Sequence, residues 1–196
     1  IGAASLSPKQ NDVNAWIDST GAAGRETLGG AYELMVDYEH RFSGGIFSML
    51  VRPSYFSQSS DGGGISAKLT GTTIFSFLRL YPFENSLFQF FLQAGLGYGA
   101  LKMDLENKNT GGSGSFDGNA FGAIGGLGVQ MCFAGSHCVV LEGNFRSLPI
   151  ERNTGSASGT LGGSITQVSG ELELEQKDLG TTLSGFQGVL GYRLMF

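Results

Sequence analysis

Ala31-Tyr32-Glu33-Leu34-Met35-Val36-Asp37-Tyr38-Glu39-His40-Arg41-Phe42 reads as two interleaved sequences. Tyr32, Leu34, Val36, Tyr38 and Phe42 fall on one parity, and Glu33, Asp37, Glu39 and Arg41 fall on the other. A β-strand points successive side chains to opposite faces, so this stretch is a strand with one hydrocarbon face and one charged face. The period of two returns further along. Phe88, Phe90, Leu92, Leu96 and Tyr98 oppose Gln89, Gln93, Gly95, Gly97 and Gly99. Val139, Leu141 and Phe145 oppose Glu142, Asn144 and Arg146.

Working outward, the alternation and the turn residues predict eight strands, at about 1–8, 28–42, 46–58, 65–82, 87–105, 118–133, 138–151 and 180–196. The connections alternate in length. Ser43-Gly44-Gly45, 82–86 and Ala134 to His137 are short, whereas about 9–28, 58–64, 107–117 and 152–180 are long loops. The first strand has little alternation and is inferred partly because single-chain bacterial barrels have even strand numbers. Within 152–180, Leu172 and Leu174 alternate with Glu171, Glu173 and Glu175, which reads as an outward extension of the last hairpin.

Composition decides which face points inward. Of 196 residues 33 are Gly and 15 are Phe, and only 15% are charged; soluble domains carry about 25% charge and about 7% Gly. No run approaches the roughly 18 apolar residues of a membrane helix, so a membrane could be crossed only by a closed barrel. All five Lys (Lys9, Lys68, Lys102, Lys108 and Lys177) fall in loops or near loop-side strand ends, while Arg41, Arg52, Arg79, Arg146 and Arg193 sit within strands on the polar face. A soluble barrel would scatter Lys over its polar exterior. The expectation is an all-β, transmembrane, antiparallel up-and-down β-barrel of eight strands, one domain over 1–196, with the apolar face outward. Ile1 to Gln10 has no basic stretch leading into an apolar run, so the sequence is read as a mature form without its leader.

The C-terminal segment Leu190-Gly191-Tyr192-Arg193-Leu194-Met195-Phe196 resembles the final strand of bacterial outer-membrane barrels, which ends in Phe after alternating apolar or aromatic positions. Leu190, Gly191, Tyr192, Leu194 and Phe196 match; Val189 departs where a polar residue is common, and Gly188 breaks the apolar series. The resemblance implies recognition by the barrel assembly machinery. The whole length is similar in architecture to the small OmpA/OmpX/OmpW-type barrel group, without a peptidoglycan-binding domain. That likeness implies the outer membrane of a Gram-negative bacterium, a periplasmic C-terminus, extracellular long loops, and lipid and lipopolysaccharide as surroundings.

The chemistry-bearing residues come next. Parity places Glu33, Asp37, Glu39, Arg41, Arg52, Arg79, Glu142, Arg146 and Arg193 in the lumen, with Asp37 opposite Arg52. An eight-stranded interior is just wide enough for side chains to fill, so the network reads as a packed polar core. The alternative is a narrow gated conduit whose salt bridges rearrange. Lumen-facing Gly95, Gly97, Gly99, Gly126 and Gly128 are expected to leave volume for the long Arg and Glu side chains, or to serve tight curvature. Cys132 and Cys138 flank a short turn on one parity and suit a cross-strand disulfide in an oxidising compartment; two packed thiols are the alternative. Gly125, Gly143 and Gly188 make a smooth outward strip fit for a lipid chain or a second barrel. Aromatic residues gather at both strand ends: Phe42, Phe47, Phe83, Phe88, Phe133, Tyr192 and Phe196 at one, Tyr32, Tyr55, Tyr98 and Phe121 at the other.

Several function classes are disfavoured. A net charge of −5 with no basic stripe argues against nucleic acid. His40 and His137 map to the short-turn end without spacing that locates Ser and carboxylate partners, so no catalytic residue, metal site or cofactor is expected. The sequence therefore predicts a non-enzymatic envelope barrel with a largely plugged lumen, whose outer glycine strip either touches ordinary lipid or serves self-association through the wall or a bound acyl chain. A narrow channel for small solutes or hydrophobic compounds is the second class.

Overall fold

The computed structural model describes residues 1–43, 45–133, 136–163, 165–167 and 169–194. Gly44 and Ala134 of the short turns and Phe196 of the C-terminal segment lie outside the described residues.

Eight strands form a closed antiparallel ring. They are β1 Gly2–Ser7, β2 in two segments (Ala31–Met35 and Tyr38–Arg41), β3 Phe47–Gly62, β4 Ile65–Glu84, β5 Phe88–Asn107, β6 Gly112–Phe133, β7 His137–Ser147 and β8 Gly185–Leu194. Each pairs with its sequence neighbour. β1 pairs with β8 through Gly2↔Gly191 to Ser7↔Phe186, which closes the circle. Burial alternates residue by residue along the strands, as a two-faced wall requires.

The strand lengths differ from the expectation in an instructive way. The β3–β4 ladder runs to Gly62↔Ile65 and the β5–β6 ladder to Asn107↔Gly112, so 58–64 and 107–117 are mostly paired strand instead of loop. Their Ser, Gly and Asn content resembles turn composition, but pairing across the hairpin overrides it. The chain reverses at Gly63 and Gly64, both at positive φ (62° and 79°). A two-residue hairpin loop with both central residues left-handed needs such glycines.

The other two long connections fold as well. Asn11–Ser19 is a helix, α1, inside the expected 9–28 loop. Val13, Trp16 and Ile17 stand at helical spacing and are fully buried, joining Leu6, Phe56, Ile65 and Leu105 from the strands in one apolar cluster. After Ser147 the chain leaves the wall. Only Pro149–Ile150 and Thr181–Thr182 prolong the last hairpin. The segment between them swings sideways instead, and Thr154–Ser158 pairs with Ser113 to Asp117 of β6.

The interior thus has two storeys. Toward the long-loop end it is apolar, filled by Leu69, Leu101, Met103, Phe116, Ile124 and α1. Toward the short-turn end it is polar, with Glu33, Arg52, Arg79, Glu142 and Arg146 buried among Gln and Ser. The exterior is reversed. Around the polar storey the outer face is a band of exposed apolar side chains that includes Leu34, Met49, Leu78, Leu96 and Leu141. Beyond Tyr98 and Phe121 the outer positions become Lys102, Asp104, Glu106, Ser113 and Ser115. The rise from Phe88 to Tyr98 is roughly 26 Å, taking about 3.4 Å per residue and a tilt near 40°.

Candidate functional site: the charged core of the ring

The nine charged residues that parity directs inward all enter the ring. Six of them, Asp37, Glu39, Arg52, Arg79, Glu142 and Arg193, join one ion-pair system in its polar storey, and Arg146 and Glu33 form their own pair beside it. Glu142, whose side chain is fully buried, stands at the centre. It accepts from Arg52 Nη1 and Nη2 at 2.8 and 3.0 Å, from Arg79 Nη2 at 2.5 Å, and from Gln93 Nε2 at 3.0 Å. Arg52 also donates to both oxygens of Asp37 at 2.7 Å. Arg79 donates to Glu39 at 2.9 Å and to Gln93 Oε1 at 2.7 Å. One carboxylate from β7 therefore ties together arginines from β3 and β4 across the lumen.

Two further groups complete the storey. Arg146 donates to both Glu33 oxygens at 2.9 and 3.1 Å and to the Leu183 carbonyl at 2.5 Å. Gln187 and Ser54 also donate to Glu33, so its carboxylate is held from β3, β7 and β8. Toward the short-turn mouth, Arg193 reaches Glu39 at 2.5 Å and Gln130 Oε1 at 2.7 Å. Arg41 stands apart from this system. It forms a bidentate pair with Glu84 at 2.7 and 2.9 Å and stacks over the Tyr81 ring.

Glu84 is the acid that sequence reasoning missed. Parity counted from Arg79 would turn residue 84 outward, and the expected strand stopped at Pro82. The β4–β5 register shifts between Leu80 and Phe83, and this irregularity inverts the parity. With Glu84 included, Glu33, Asp37, Glu39, Glu84 and Glu142 balance the five arginines Arg41, Arg52, Arg79, Arg146 and Arg193. Gln93, Asn144 and Gln187, which thread between the ions, were visible only as lumen-parity polar residues.

The lumen glycines play a different part from the one expected. A Cβ on Gly95 or Gly97 would strike the rings of Phe77 or Phe75, their cross-strand partners, at 3.0 and 2.5 Å. One on Gly99 would meet Leu148, and one on Gly128 would meet Phe91. The missing side chains mainly admit apolar groups; only Gly126, against Asn144, serves a polar neighbour. Those rings in turn face the cations. Phe77 lies 5.1 Å from the Arg52 guanidinium and Phe91 lies 4.2 Å from that of Arg79. Arginine packed on aromatic faces is stabilised beyond its ion pairs.

The remaining candidates lie away from this core. Cys132 and Cys138 are register partners joined by a disulfide across the β6–β7 turn. Leu190, Tyr192 and Leu194 point outward and are exposed, with Gly191 inward. Gly143 and Gly188 are cross-strand partners on the outer face, whereas Gly125 pairs with Phe145 and so stands one diagonal step away. Gly143 and Gly188 border an open outer concavity of about 670 Å³. His137 Nδ1 meets the Tyr192 hydroxyl at the outer rim, and His40 packs edge-on to Phe42. Among the described residues, no three His, Cys, Asp or Glu side chains are grouped to hold a metal ion.

No protein-family model matches the chain, and no curated protein matches it.

Proposed function

We propose that this protein is an integral outer-membrane β-barrel of a Gram-negative bacterium, akin to the small OmpA/OmpX/OmpW-type group, with a structural and envelope-interaction role and a plugged lumen. One observation carries the reading: the ring wears its apolar side chains outside, around an interior of five acids and five arginines. In water that arrangement exposes Leu34, Leu96, Phe121 and Phe145 while burying Glu33, Arg52, Arg79, Glu142 and Arg146, a costly inversion of the usual order. In lipid it is the favourable one, since a closed ring leaves no strand edge in hydrocarbon. The band height agrees with the roughly 25 Å apolar belt of such barrels, and Tyr32, Tyr55, Tyr98 and Phe121 against Phe42, Phe47, Phe83 and Phe88 resemble their two aromatic girdles.

The plugged lumen is supported by both storeys. α1 and its leucine-rich surroundings occupy the long-loop half, and Arg52, Arg79, Glu142 and Arg146, all nearly inaccessible, occupy the other. Self-association through the Gly143–Gly188 strip and handling by the assembly machinery belong to the same reading. Single-channel recording in planar bilayers tests it. A silent protein is expected; steady openings that change when Arg52 or Arg146 is neutralised would replace the plug with a conduit.

A further inference from the structure

Two recesses lie one above the other on the outer face of the seam formed by β7, β8 and β1. The lower one, of about 670 Å³, sits in the apolar band. One row of register partners crosses it: Tyr32, Ser5, Gly188, Gly143 and Leu127. The three middle positions are small, and Tyr32 and Leu127 stand up as walls on either side. Leu190 and Leu141 bound it toward the short-turn end. A Cβ on Gly188 would meet nothing within 4 Å, and one on Gly143 would meet only the Phe186 ring, at 3.6 Å, so the floor is open.

The upper recess, of about 370 Å³, lies past the row of Ser7, Phe186 and Phe145. It is lined by the continuations of the same three strands. Lys9 and Asp12 follow β1, Glu151 follows β7, and Asp178, Gly180 and Thr182 precede β8. Gln10 ties the first to the last, since its side chain accepts from the Thr182 amide at 3.0 Å and donates to the Thr182 carbonyl at 2.7 Å. Parity holds across the join: Lys9 and Glu151 are exposed, whereas Pro8, Gln10 and Ile150 beside them are buried.

The two recesses differ as the two ends of a lipid differ. The lower one offers hydrocarbon. Between them, exposed Ser5 and Ser7 carry hydroxyls with no hydrogen-bond partner among the described residues. The upper one holds charges of both signs. Asp12 accepts from the Gly180 amide at 2.9 Å, and Asp178 pairs with Arg152 at 3.0 Å. Among the described residues Lys9 and Glu151 have no ion-pair partner, which leaves the recess one free cation and one free anion. From Ser5 to Lys9 the chain advances four residues, at most about 13 Å.

We propose, on the membrane reading above, that this seam binds a lipid whose headgroup carries a phosphate and a primary ammonium. An acyl chain fills the lower recess over Gly143 and Gly188. The ester carbonyls accept from Ser5 and Ser7, whose hydroxyls would otherwise stand unpaired against hydrocarbon, an unfavourable state. The phosphate accepts from Lys9 and the ammonium donates to Glu151. A purely anionic headgroup would face Glu151 and Asp12 with Lys9 alone to offset them, so the mixed charge sets the choice of headgroup. Both recesses fall within the roughly 300–1,000 Å³ of small-ligand sites. Copies of the protein that meet at this strip meet across the bound lipid.

The probe is phosphatidylethanolamine, in nanodiscs that also hold equal parts of phosphatidylcholine and phosphatidylglycerol with the same acyl chains. Native mass spectrometry reads which lipids leave the disc bound to the protein. Phosphatidylethanolamine should exceed each of the others by at least about threefold, the yield of one modest exposed ion pair. Choline lacks the N–H donors, and glycerol lacks the cation. Glu151→Gln should erase the preference over phosphatidylglycerol, and Lys9→Gln should lower retention of both lipids. Lys102→Gln, on β5 across the ring, should change neither. Gly188→Phe fills the lower recess and should cut retention of all three lipids, with Ser5→Phe as the second variant should the first fail to fold. Equal retention of the three by inserted protein, or a preference that survives Glu151→Gln or the recess-filling variants, would overturn the lipid site alone. Protein released as a lipid-free dimer would assign the recess to a second copy and overturn it as well. Protein that stays out of the nanodisc would overturn the membrane reading together with the site.

Discussion

Removing the carboxylate of Glu142 should destabilise the ring more than any other single charge deletion. Glu142 receives five hydrogen bonds, from Arg52 (two), Arg79, Gln93 and Asn144. Its side chain is fully buried, and those of Arg52 and Arg79 are 4% and 0% exposed. In Glu142→Ala both guanidiniums keep one carboxylate each, Asp37 and Glu39, but the interior then holds an excess positive charge. Breaking a buried pair by removing one partner costs about 3–5 kcal/mol. For a chain of this size that corresponds to roughly 6–20 °C in Tm. Heat unfolding of detergent-folded protein, followed by the loss of β-sheet circular dichroism, measures it. Glu142→Gln, which keeps the shape and some of the hydrogen bonds, should fall between wild type and Ala. A double-mutant cycle with Arg52→Ala should give a coupling of at least about 1 kcal/mol, because the two share a network. An unchanged melting point in Glu142→Ala, or strict additivity in the cycle, would refute the assignment of Glu142 as the node.

Three further outcomes follow from the same geometry. Gly97→Val drives a branched side chain into the Phe75 ring and should cost at least about 1–3 kcal/mol, whereas Gly188→Ala, with nothing within 4 Å of the new carbon, should stay within about 0.5 kcal/mol; parallel melts compare them. Reducing Cys132–Cys138, which closes a loop of sequence separation 6, should lower stability by no more than about 2 kcal/mol and leave the sheet signal intact. If the protein is oligomeric in mild detergent, Gly143→Phe should shrink the oligomer on size-exclusion chromatography, since it fills the outer strip beside Gly188.

The eight-strand ring and the lumen charges were legible because one physical rule governs both. A wall with unlike faces forces period two, and it shows in 31–42, 87–98 and 138–146, with Met35, Phe91 and Val140 as inward apolar exceptions. Even β1, which barely alternates, could be inferred in part from the even strand number of single-chain bacterial barrels. What stayed hidden obeys other rules. Val13, Trp16 and Ile17 carry a helical spacing, but it is one turn long and embedded in a stretch already assigned to a loop. The apolar storey was missed because parity was assumed to have one meaning along the whole strand. At 65–71 the inward residues are Ile65, Ala67 and Leu69 and the outward ones include Lys68, so the sense of inside and outside reverses partway up the wall. Glu84 was lost to the irregularity at Pro82. The lumen glycines were assigned the wrong neighbours because sequence parity names a face and says nothing of which cross-strand ring covers it.

The central claim is that the apolar band lies in lipid and the wall above it lies in water. Spin labels at Leu96→Cys, 73% exposed within the band, and at Lys102→Cys, on the same outer face of β5 above it, measure this directly in protein reconstituted into lipid vesicles. The label at 96 should relax strongly with oxygen, which concentrates in hydrocarbon, and weakly with a water-soluble nickel chelate; the label at 102 should show the reverse. Equal access of the nickel chelate to both positions, in protein whose β-sheet signal is intact, would contradict the membrane-spanning account.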